Sequence, residues 1–455
     1  MADFAAMVDA QRKYFDSQAT KPYEFRREQL KKLQGWMTKN EQAILDALHE
    51  DLGKSDYEGY LTEVAMVKQE LADALKHLRG WMKPKRARTA MGQLPGTCRV
   101  LSEPYGVVLI MSPWNYPFQL TLAPLVGALA AGNCAIVKPS AYSPATSGLI
   151  RRMAEELFPP ELVKVVEGGR TENAALLEEH FDYIFFTGSP AVGRLVMEKA
   201  SRHLTPVSLE LGGKSPVIVE KSADVALTAR RLAWGKCLNA GQTCVAPDYV
   251  LVDRSREQEL IEALIGEIRR MYTSAPLASE DLPKIVNQRH FQRLVGLLSS
   301  GSVAFGAQID PAERKISPTI LTDVEWDSPV MQEEIFGPIL PILTYRNLDE
   351  AIQRIRQRPR PLALYLFTRD KAVEDKVLGS VSFGGGCVND TVLHLATSHM
   401  PFGGVGESGM GGYHGPWSFR TFSHEKSILK RWAKPDIALR YAPFKGKMGK
   451  LKKLI

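Results

Sequence analysis

The sequence is poor in cysteine and contains no long apolar run. Its 455 residues include five cysteines: Cys98, Cys134, Cys237, Cys244 and Cys387. They are odd in number, irregularly spaced and without a Cys-x-x-Cys pair, which argues against a disulfide framework or a zinc site. Apolar runs such as Val107 to Met111 fall far short of the roughly 20 residues that a membrane-spanning helix needs. No metal and no membrane-spanning segment are therefore expected.

The N-terminus lacks a signal-peptide pattern, so a cytoplasmic protein is expected. The composition, 44% hydrophobic and 24% charged, is typical of a globular enzyme. A chain of 455 residues is too long for one compact core, which predicts two or three domains.

Charge is nearly balanced except at the C-terminal end. Residues 426–455 hold ten Lys or Arg and one acid, Asp436, and so carry a net charge of +9. Subtracting this from the formal charge of +7 for the whole chain leaves −2 on residues 1–425. A basic tail without a nucleic-acid motif does not indicate DNA or RNA binding, and no nucleic-acid partner is expected.

The order of apolar patterns predicts an α/β fold. Apolar residues three and four apart, as in 41–48 and 63–71, predict a helical layer at the N-terminus. Farther along, short β-branched or apolar runs alternate with helical patterns, which predicts buried parallel strands with crossover helices. These runs are 105–110, 134–137, 163–166 and 183–186, then 215–219, 249–252 and 339–343. The second set predicts a second α/β domain.

Two glycine motifs are candidates for a phosphate-binding loop. The literal G-x-G-x-x-G at Gly404–Gly409 follows no buried strand and opens no helix, so it is the poorer candidate. In Phe185–Gly193, a strand runs into Gly188 and a helical pattern begins two residues later. Free N–H groups, the hydroxyl of Ser189 and the close approach allowed by Gly193 suit a pyrophosphate. An ordinary strand-to-helix turn explains the same residues.

Cys244 is the candidate nucleophile. It lies in the polar, glycine-containing loop Asn239–Val245, where an accessible thiolate could attack a carbonyl. A lone cysteine is more often structural, as we expect for Cys134 within an apolar strand and for Cys237 within a helical pattern.

Glu210 and Asn115 are candidate partners. Glu210 is flanked by leucines, and an apolar setting raises a carboxyl pKa toward the range where it can accept a proton from water. A solvent-facing position on a half-buried strand is the alternative. Asn115 lies in a loop stiffened by Pro113 and Pro117, which can aim an amide at a developing oxyanion. Capping of a turn is the commoner use of asparagine.

Seven ordered segments together resemble motifs of the aldehyde dehydrogenase superfamily. They are residues 111–118, 138–140, 186–193, 209–213, 241–244, 333–338 and 401–404. The continuation after Cys244 and the segment 419–426 are most similar to the class 3 branch, which includes fatty and aromatic aldehyde dehydrogenases. The resemblance implies oxidation of an aldehyde, aliphatic of medium or long chain or aromatic, to the carboxylic acid with reduction of NAD(P).

The resemblance also implies three parts. A Rossmann-like NAD(P)-binding domain would comprise residues 1–85, including the N-terminal helical layer, and 106–210. A catalytic α/β domain would comprise residues 211–410. A small β bridging element, 86–105 and 411–433, would pair two subunits as a homodimer, and residues 434–455 form the basic tail.

By the same resemblance, Cys244 attacks the aldehyde, and Asn115 with the Cys244 backbone N–H holds the oxyanion of the thiohemiacetal. Hydride loss leaves a thioester, which is hydrolysed by water that Glu210 deprotonates. The implied cofactor-binding residues are Lys138, Ser140, Gly188, Ser189, Gly193, Glu334 and Phe336.

One position departs from many members of the superfamily. They carry an acid three residues after the lysine that corresponds to Lys138, whereas this chain has Ala141. An acid there repels a 2′-phosphate, so its absence predicts that NADP is accepted alongside NAD.

The basic tail has three interpretations. Its lysines alternate with Phe444, Met448 and Leu451, a pattern that suits peripheral contact with an anionic membrane. A gate over a substrate tunnel is the second interpretation, and a solvated or subunit-docked terminus is the third.

The sequence disfavours three other functions. A thiol hydrolase or esterase without a nucleotide is disfavoured by the nucleotide motifs and Glu334. A non-catalytic protein is disfavoured by the presence of Cys244, Glu210 and Asn115. A coenzyme-A-acylating enzyme is disfavoured because Glu210 favours water as the acyl acceptor.

Overall fold

The computed structural model describes residues 3–453, which begin with a helical layer. Apolar residues on one face of each helix drive its packing, and in the third helix Ile44, Leu48 and Leu52 are fully buried. A π-helical turn, Tyr60–Val64, interrupts the layer. The second helix packs on the fifth, as the predicted helical layer requires. The helices are α1 Phe4–Asp16, α2 Tyr23–Lys39, α3 Glu41–Leu52, α4 Asp56–Gly59 and α5 Ala65–Trp81.

A six-stranded sheet follows, and its five main strands are parallel. They are β3 Val107–Met111, β4 Cys134–Lys138, β5 Val163–Val165, β6 Tyr183–Gly188 and β7 Val207–Leu211. The crossover helices are α6 Gln119–Ala131, α7 Pro144–Leu157, α8 Arg170–Leu176 and α9 Pro190–Ser201. All residues of β3 and β4 are buried, which explains their continuous apolar runs.

The strand order creates a switch point in this sheet. From β3 the chain moves outward through β4 and β5, then returns to the other side of β3 with β6 and β7. The loops after β3 and β6 therefore leave the sheet side by side and in opposite directions. In open α/β sheets, ligands bind in the crevice formed at such a point.

A second sheet of seven strands is parallel except for the antiparallel pair at one edge. Its order is β10-β13-β14-β9-β8-β15-β16, where β8 is Pro216–Val219, β9 Tyr249–Asp253, β10 Ser302–Phe305, β13 Thr319–Thr322, β14 Ile339–Tyr345, β15 Ala363–Phe367 and β16 Gly385–Val388. A hairpin of β11 Ile309–Asp310 and β12 Lys315–Ile316 lies between β10 and β13 in the chain. The helices are α10 Val225–Cys237, α11 Glu257–Tyr272, α12 Gln288–Leu297, α13 Leu348–Arg356 and α14 Lys371–Ser380. The predicted α/β fold class is confirmed.

Two small β elements and two short helices complete the chain. Strands β1 Lys85–Ala87, β2 Gly96–Pro104 and β18 Ser423–Arg431 form an antiparallel sheet in the order β1-β2-β18. Strand β17, Gly409–Met410, pairs with the edge strand β7 of the first sheet. The helices are α15 Pro416–Thr421 and, in the basic tail, α16 Met448–Lys452. Within residues 3–453, no helix is both long and apolar enough to cross a bilayer.

Candidate active site

The loop that carries Cys244 is tightly folded. Helix α10 ends at Cys237, and the chain then passes through Asn239 and Ala240, whose φ angles are +52° and +51°. Gly241 also has a positive φ, and a Cβ there would lie 2.2 Å from the carbonyl oxygen of Gly337. This close approach requires glycine. After this left-handed turn the chain reaches Cys244, which is half-buried. Cys237 is fully buried and packs in the core.

Cys244 lies in the wall of a mainly apolar cavity of about 240 Å³. The N-terminal layer, α10 and the segment after β16 all contribute to this wall, and Leu61 and Leu393 are exposed where they line it. The cavity therefore offers an apolar environment with a thiol in its wall. Other lining side chains are Tyr116, Trp234, Leu395, Phe402 and Tyr413.

The Cys244 thiol is not activated by its protein surroundings. Burial, together with the nearby carboxyls of Glu334 and Glu210, raises the pKa of Cys244 to about 12. These surroundings therefore favour the protonated thiol over the thiolate at neutral pH. Proton removal must accompany or precede any attack on a carbonyl.

Glu210 lies on β7, opposite Thr187 of β6 and Gly409 of β17. Its carboxyl is buried, and neither oxygen has a hydrogen-bond partner within residues 3–453. Burial raises the pKa of Glu210 well above its usual value. The expected apolar setting is present, and the solvent-facing alternative is wrong. A carboxyl without partners and with a raised pKa suits a general base that takes a proton from water.

Asn115 follows β3 and adjoins the Cys244 loop. Its side-chain Nδ2 donates to the carbonyl oxygen of Gln242 at 3.0 Å. Its own carbonyl oxygen accepts from Asn239 Nδ2 at 2.8 Å and from Lys54 Nζ at 3.0 Å. An asparagine amide has two hydrogens, so one remains for a further acceptor. Tyr116 adds a second link between the loops through its hydroxyl, 2.6 Å from Thr243 Oγ1.

Glu334 lies in a loop that several polar contacts hold in place. The Asp248 carboxylate accepts from the backbone N–H of Ile335 at 2.8 Å, and Lys214 donates to the carbonyl of Glu333 at 2.9 Å. Arg293 donates to the carbonyl of Ile335. Burial and the nearby Asp248 carboxylate raise the pKa of Glu334 to about 8.

Phe336 follows in the same loop, with a φ of +52°. Its ring meets Trp114 edge to face at a centroid distance of 5.3 Å. Because Trp114 precedes Asn115, this contact joins the Glu334 loop to the loop after β3.

The turn after β6 carries the residues predicted from the sequence to bind a phosphate. Ser189 is the N-cap of α9, and its hydroxyl accepts from Val192 N at 3.5 Å. A Cβ at Gly188 would lie 2.5 Å from the Phe186 ring, and one at Gly193 would lie 2.7 Å from Leu211 Cδ2. The close approach that Gly193 allows in the structure is therefore that of α9 to β7.

Lys138 and Ser140 lie at the carboxyl end of β4, next to β3. Lys138 Nζ donates to the carbonyls of Pro139 at 2.8 Å and Gly168 at 2.6 Å, and burial lowers its pKa to about 8. A lysine ammonium has three hydrogens, so one remains for a ligand. The Ser140 hydroxyl accepts from the backbone N–H of Tyr142 at 3.2 Å, and Ala141 is exposed.

The G-x-G-x-x-G segment has a different environment. Residues Gly406–Ser408 form a single 3-10 turn, and β17 follows without an α-helix. A Cβ at Gly409 would lie 2.1 Å from the carbonyl oxygen of Leu209. This glycine therefore permits pairing of β17 with β7, beside Glu210.

Sequence reasoning missed the polar residues behind these loops. Lys54 and Glu63 form a fully buried ion pair, and the Glu58 carboxylate accepts from the backbone N–H of Asn239 at 2.8 Å. The only signal was the presence of charged residues within apolar helical patterns, which is also typical of solvated helix faces.

A model of the aldehyde dehydrogenase family matches residues 1–428. The chain belongs to this family. The 4,4'-diaponeurosporen-aldehyde dehydrogenase of Staphylococcus aureus is 48% identical over 441 residues, which are 96% of each chain. Aldehyde dehydrogenase family 3 member H1 of Arabidopsis thaliana is 46% identical over 460 residues, 100% of this chain and 95% of that one. The class 3 resemblance predicted from the sequence is confirmed.

Solved structures agree with this assignment. The substrate-bound state of Staphylococcus aureus AldH is 47% identical, with a TM-score of 0.98, and the match covers 100% of this chain and 99% of that one. An indole-3-acetaldehyde dehydrogenase in complex with NAD⁺ is 26% identical, with a TM-score of 0.85 over 94% of this chain and 88% of that one. This aldehyde dehydrogenase is an NAD(P)-dependent oxidoreductase that converts aldehydes to acids.

The residues present fit a dinucleotide. The N-terminus of α9 lies at the switch-point crevice, where free N–H groups and the helix dipole favour an anion. Lys138 retains a hydrogen for a ligand, and the carboxyl of the half-buried Glu334 lies beside Gly212.

Proposed function

We propose that this aldehyde dehydrogenase uses Cys244 as a covalent nucleophile, Asn115 as an oxyanion donor and Glu210 as the base for hydrolysis. The observation that carries the proposal is the buried carboxyl of Glu210, which lies near the Cys244 thiol and has no hydrogen-bond partner within the described chain. A structural carboxylate would be paired, whereas a base for water keeps its oxygens available.

Attack begins when the Cys244 thiol gives its proton to water and its sulfur bonds to the aldehyde carbon. The carbonyl oxygen becomes an oxyanion, held by the free hydrogen of the Asn115 amide and by the Cys244 backbone N–H. Removing one such donor raises the barrier by roughly 3 to 4 kcal/mol in comparable sites.

NAD(P)⁺, when bound, supplies the acceptor for the hydride of the thiohemiacetal carbon. We assign the nicotinamide side to Glu334 and Phe336. The pyrophosphate belongs to the turn of Gly188, Ser189 and Gly193, and the adenine-side ribose to Lys138 and Ser140. Two features support this assignment. The first turn of α9 contains no acidic residue, and Lys138 Nζ has a hydrogen left for a ligand.

The thioester that remains on Cys244 is hydrolysed. Glu210 removes a proton from water, the resulting hydroxide adds to the acyl carbon, and the carbon–sulfur bond breaks to release the carboxylic acid and the thiolate. The raised pKa of Glu210 makes its carboxylate a stronger base than an exposed one.

We propose a medium- or long-chain aliphatic or an aromatic aldehyde as the substrate. The apolar cavity beside Cys244, bordered by exposed leucines, favours an apolar group over a charged one. A relative of 48% identity is named for 4,4'-diaponeurosporen aldehyde. An aldehyde panel from acetaldehyde through long alkanals and benzaldehydes, assayed with NAD and NADP, tests this. A higher kcat/KM for acetaldehyde than for the larger aldehydes would contradict the substrate class. The role of Cys244 is tested separately, because the Cys244→Ala variant should be inactive toward every aldehyde.

We further propose the three-part division, with residues 1–85 and 106–210 for the cofactor, 211–410 for catalysis, and 86–105 with 411–433 for pairing of two subunits. The separate three-stranded sheet, with Ile428 and Leu429 exposed, supports an interface between copies. Measurement of the mass in solution tests the homodimer, and a monomer would contradict it.

Peripheral membrane contact through the tail, residues 434–455, is also proposed. Phe444 is 68% exposed and Met448 is 63% exposed among lysines, as suits an anionic lipid surface.

A further inference from the structure

A buried ion pair lies behind the loop that carries Asn115. Lys54 Nζ contacts Glu63 Oε1, and both side chains are completely inaccessible to solvent. Glu63 belongs to the π-helical turn Tyr60–Val64, a distortion that often occurs at functional sites. The pair comes from the N-terminal helical layer and not from either sheet.

The pair holds the loop after β3 at two points. Lys54 Nζ donates to the carbonyl oxygen of Asn115 at 3.0 Å and lies 4.0 Å from the centroid of the Tyr116 ring. Glu63 Oε2 accepts from the backbone N–H groups of Phe118 at 2.8 Å and Gln119 at 3.1 Å. The loop is thus fixed both at Asn115 and where α6 begins.

The same contacts align this loop with the one that carries Cys244. Asn239 Nδ2 shares the Asn115 carbonyl with Lys54, and the Asn115 side chain donates to the carbonyl of Gln242. Displacement of the Asn115 backbone would therefore move its amide relative to Cys244.

We propose that Lys54, paired with Glu63, is a positioning residue that holds the Asn115 amide in register with Cys244. This inference rests on the proposed function, in which Asn115 stabilises the oxyanion. A buried ion pair contributes little net stability, because desolvation of both charges offsets their attraction. The pair instead contributes the orientation of the Asn115 amide, since catalysis is sensitive to displacements of about 1 Å.

The variant Lys54→Met in the full chain tests the proposal. We expect kcat to fall roughly tenfold to a hundredfold, while KM for the aldehyde changes less than about threefold because ground-state binding is kept. Alkylation of Cys244 by iodoacetamide should stay within about twofold of the parent rate. The double variant Lys54→Met with Glu63→Gln removes the uncompensated carboxylate, and we expect it to fold with the same loss of kcat.

The control is Arg26→Met. Arg26 is also buried, and it donates to the carbonyl of Ala130 at the other end of α6, at 3.2 Å. We expect this change to lower Tm and to leave kcat within about twofold, because it does not touch the Asn115 loop.

A double-mutant cycle gives the decisive readout. If Lys54 acts through Asn115, adding Lys54→Met to Asn115→Ala should lower kcat by less than about twofold. The positioning role would be overturned if the effects of Lys54→Met and Asn115→Ala on kcat were fully additive. It would also be overturned if kcat were unchanged in folded Lys54→Met or in the double variant Lys54→Met with Glu63→Gln. Either result would leave the proposed function intact. An active Asn115→Ala enzyme would instead overturn the oxyanion role and this inference with it.

Discussion

The carboxyl of Glu334 occupies the space that a side chain at position 212 would take. A Cβ at Gly212 would lie 2.1 Å from Glu334 Oε2, a distance too short for a Cβ atom and an oxygen. The double glycine after β7 therefore lets a carboxyl from the β14 side reach the end of the first sheet. Two distant segments of the chain meet here at a contact that only glycine permits.

The variant Gly212→Ala is expected to displace Glu334 and raise KM for NAD(P) by roughly tenfold. Cofactor titrations at saturating aldehyde measure this. Gly266→Ala is the control, since a Cβ there meets nothing within 4 Å and Gly266 lies on the exposed face of α11. An unchanged cofactor KM in Gly212→Ala would show that Glu334 has no part in holding the cofactor.

Glu210→Gln is expected to slow deacylation, lowering steady-state kcat by about 10²- to 10⁴-fold. The amide keeps the shape of the carboxyl but cannot take a proton from water. Stopped-flow measurement should show a burst of reduced cofactor that is followed by a slow steady rate.

Glu220→Gln provides a matched buried carboxyl at the far end of β8, where it accepts from Ser222 and Thr368. We expect kcat to stay within about twofold in this control. A Glu210→Gln enzyme with normal turnover would remove Glu210 from the mechanism.

The reactivity of Cys244 should rise with pH without levelling off in the neutral range. Its pKa of about 12 means that the thiolate fraction increases about tenfold per pH unit far below that value. The alkylation rate of the cofactor-free enzyme from about pH 7 to 10 measures this, with Cys237→Ser as a control that should keep the profile. A plateau near neutral pH would mean that the thiolate is already formed.

Ala141→Glu is expected to lower kcat/KM for NADP by roughly tenfold or more, with kcat/KM for NAD within about twofold. The added carboxylate would repel a 2′-phosphate, whereas Ala141→Gln adds the same bulk without the charge. Steady-state kinetics with both cofactors measure the ratio. If the parent enzyme used NADP more than about a hundredfold less efficiently than NAD, the predicted dual use would be wrong.

Removal of residues 444–455 should abolish binding to vesicles that contain phosphatidylserine, since it removes Lys445, Lys447, Lys450, Lys452 and Lys453. Co-sedimentation of the full and shortened chains compares them, with phosphatidylcholine vesicles as the uncharged control. Oxidation of a short aldehyde should stay within about twofold. Equal vesicle binding by both chains would eliminate membrane contact through the tail.

Local pattern was sufficient for the α/β fold class and for most strands. The runs at 134–137 and 249–252 lie within β4 and β9 almost to the residue, because strands buried on both faces must be continuously apolar. The sequence also indicated that the Gly404–Gly409 motif is a poor candidate for a phosphate-binding loop, since no helical pattern follows it.

The sequence by itself determined the family, through ordered motifs whose residues each keep a local role, such as Ser189 at the start of α9. Only the tertiary structure decided which charges meet. Lys54 reaches Asn115 across 61 residues of chain, and Gly409 meets Glu210 across 199. Such contacts depend on how helices and strands pack against one another. The periodicity of apolar residues predicts the helices and strands, but it does not indicate which distant residues come into contact.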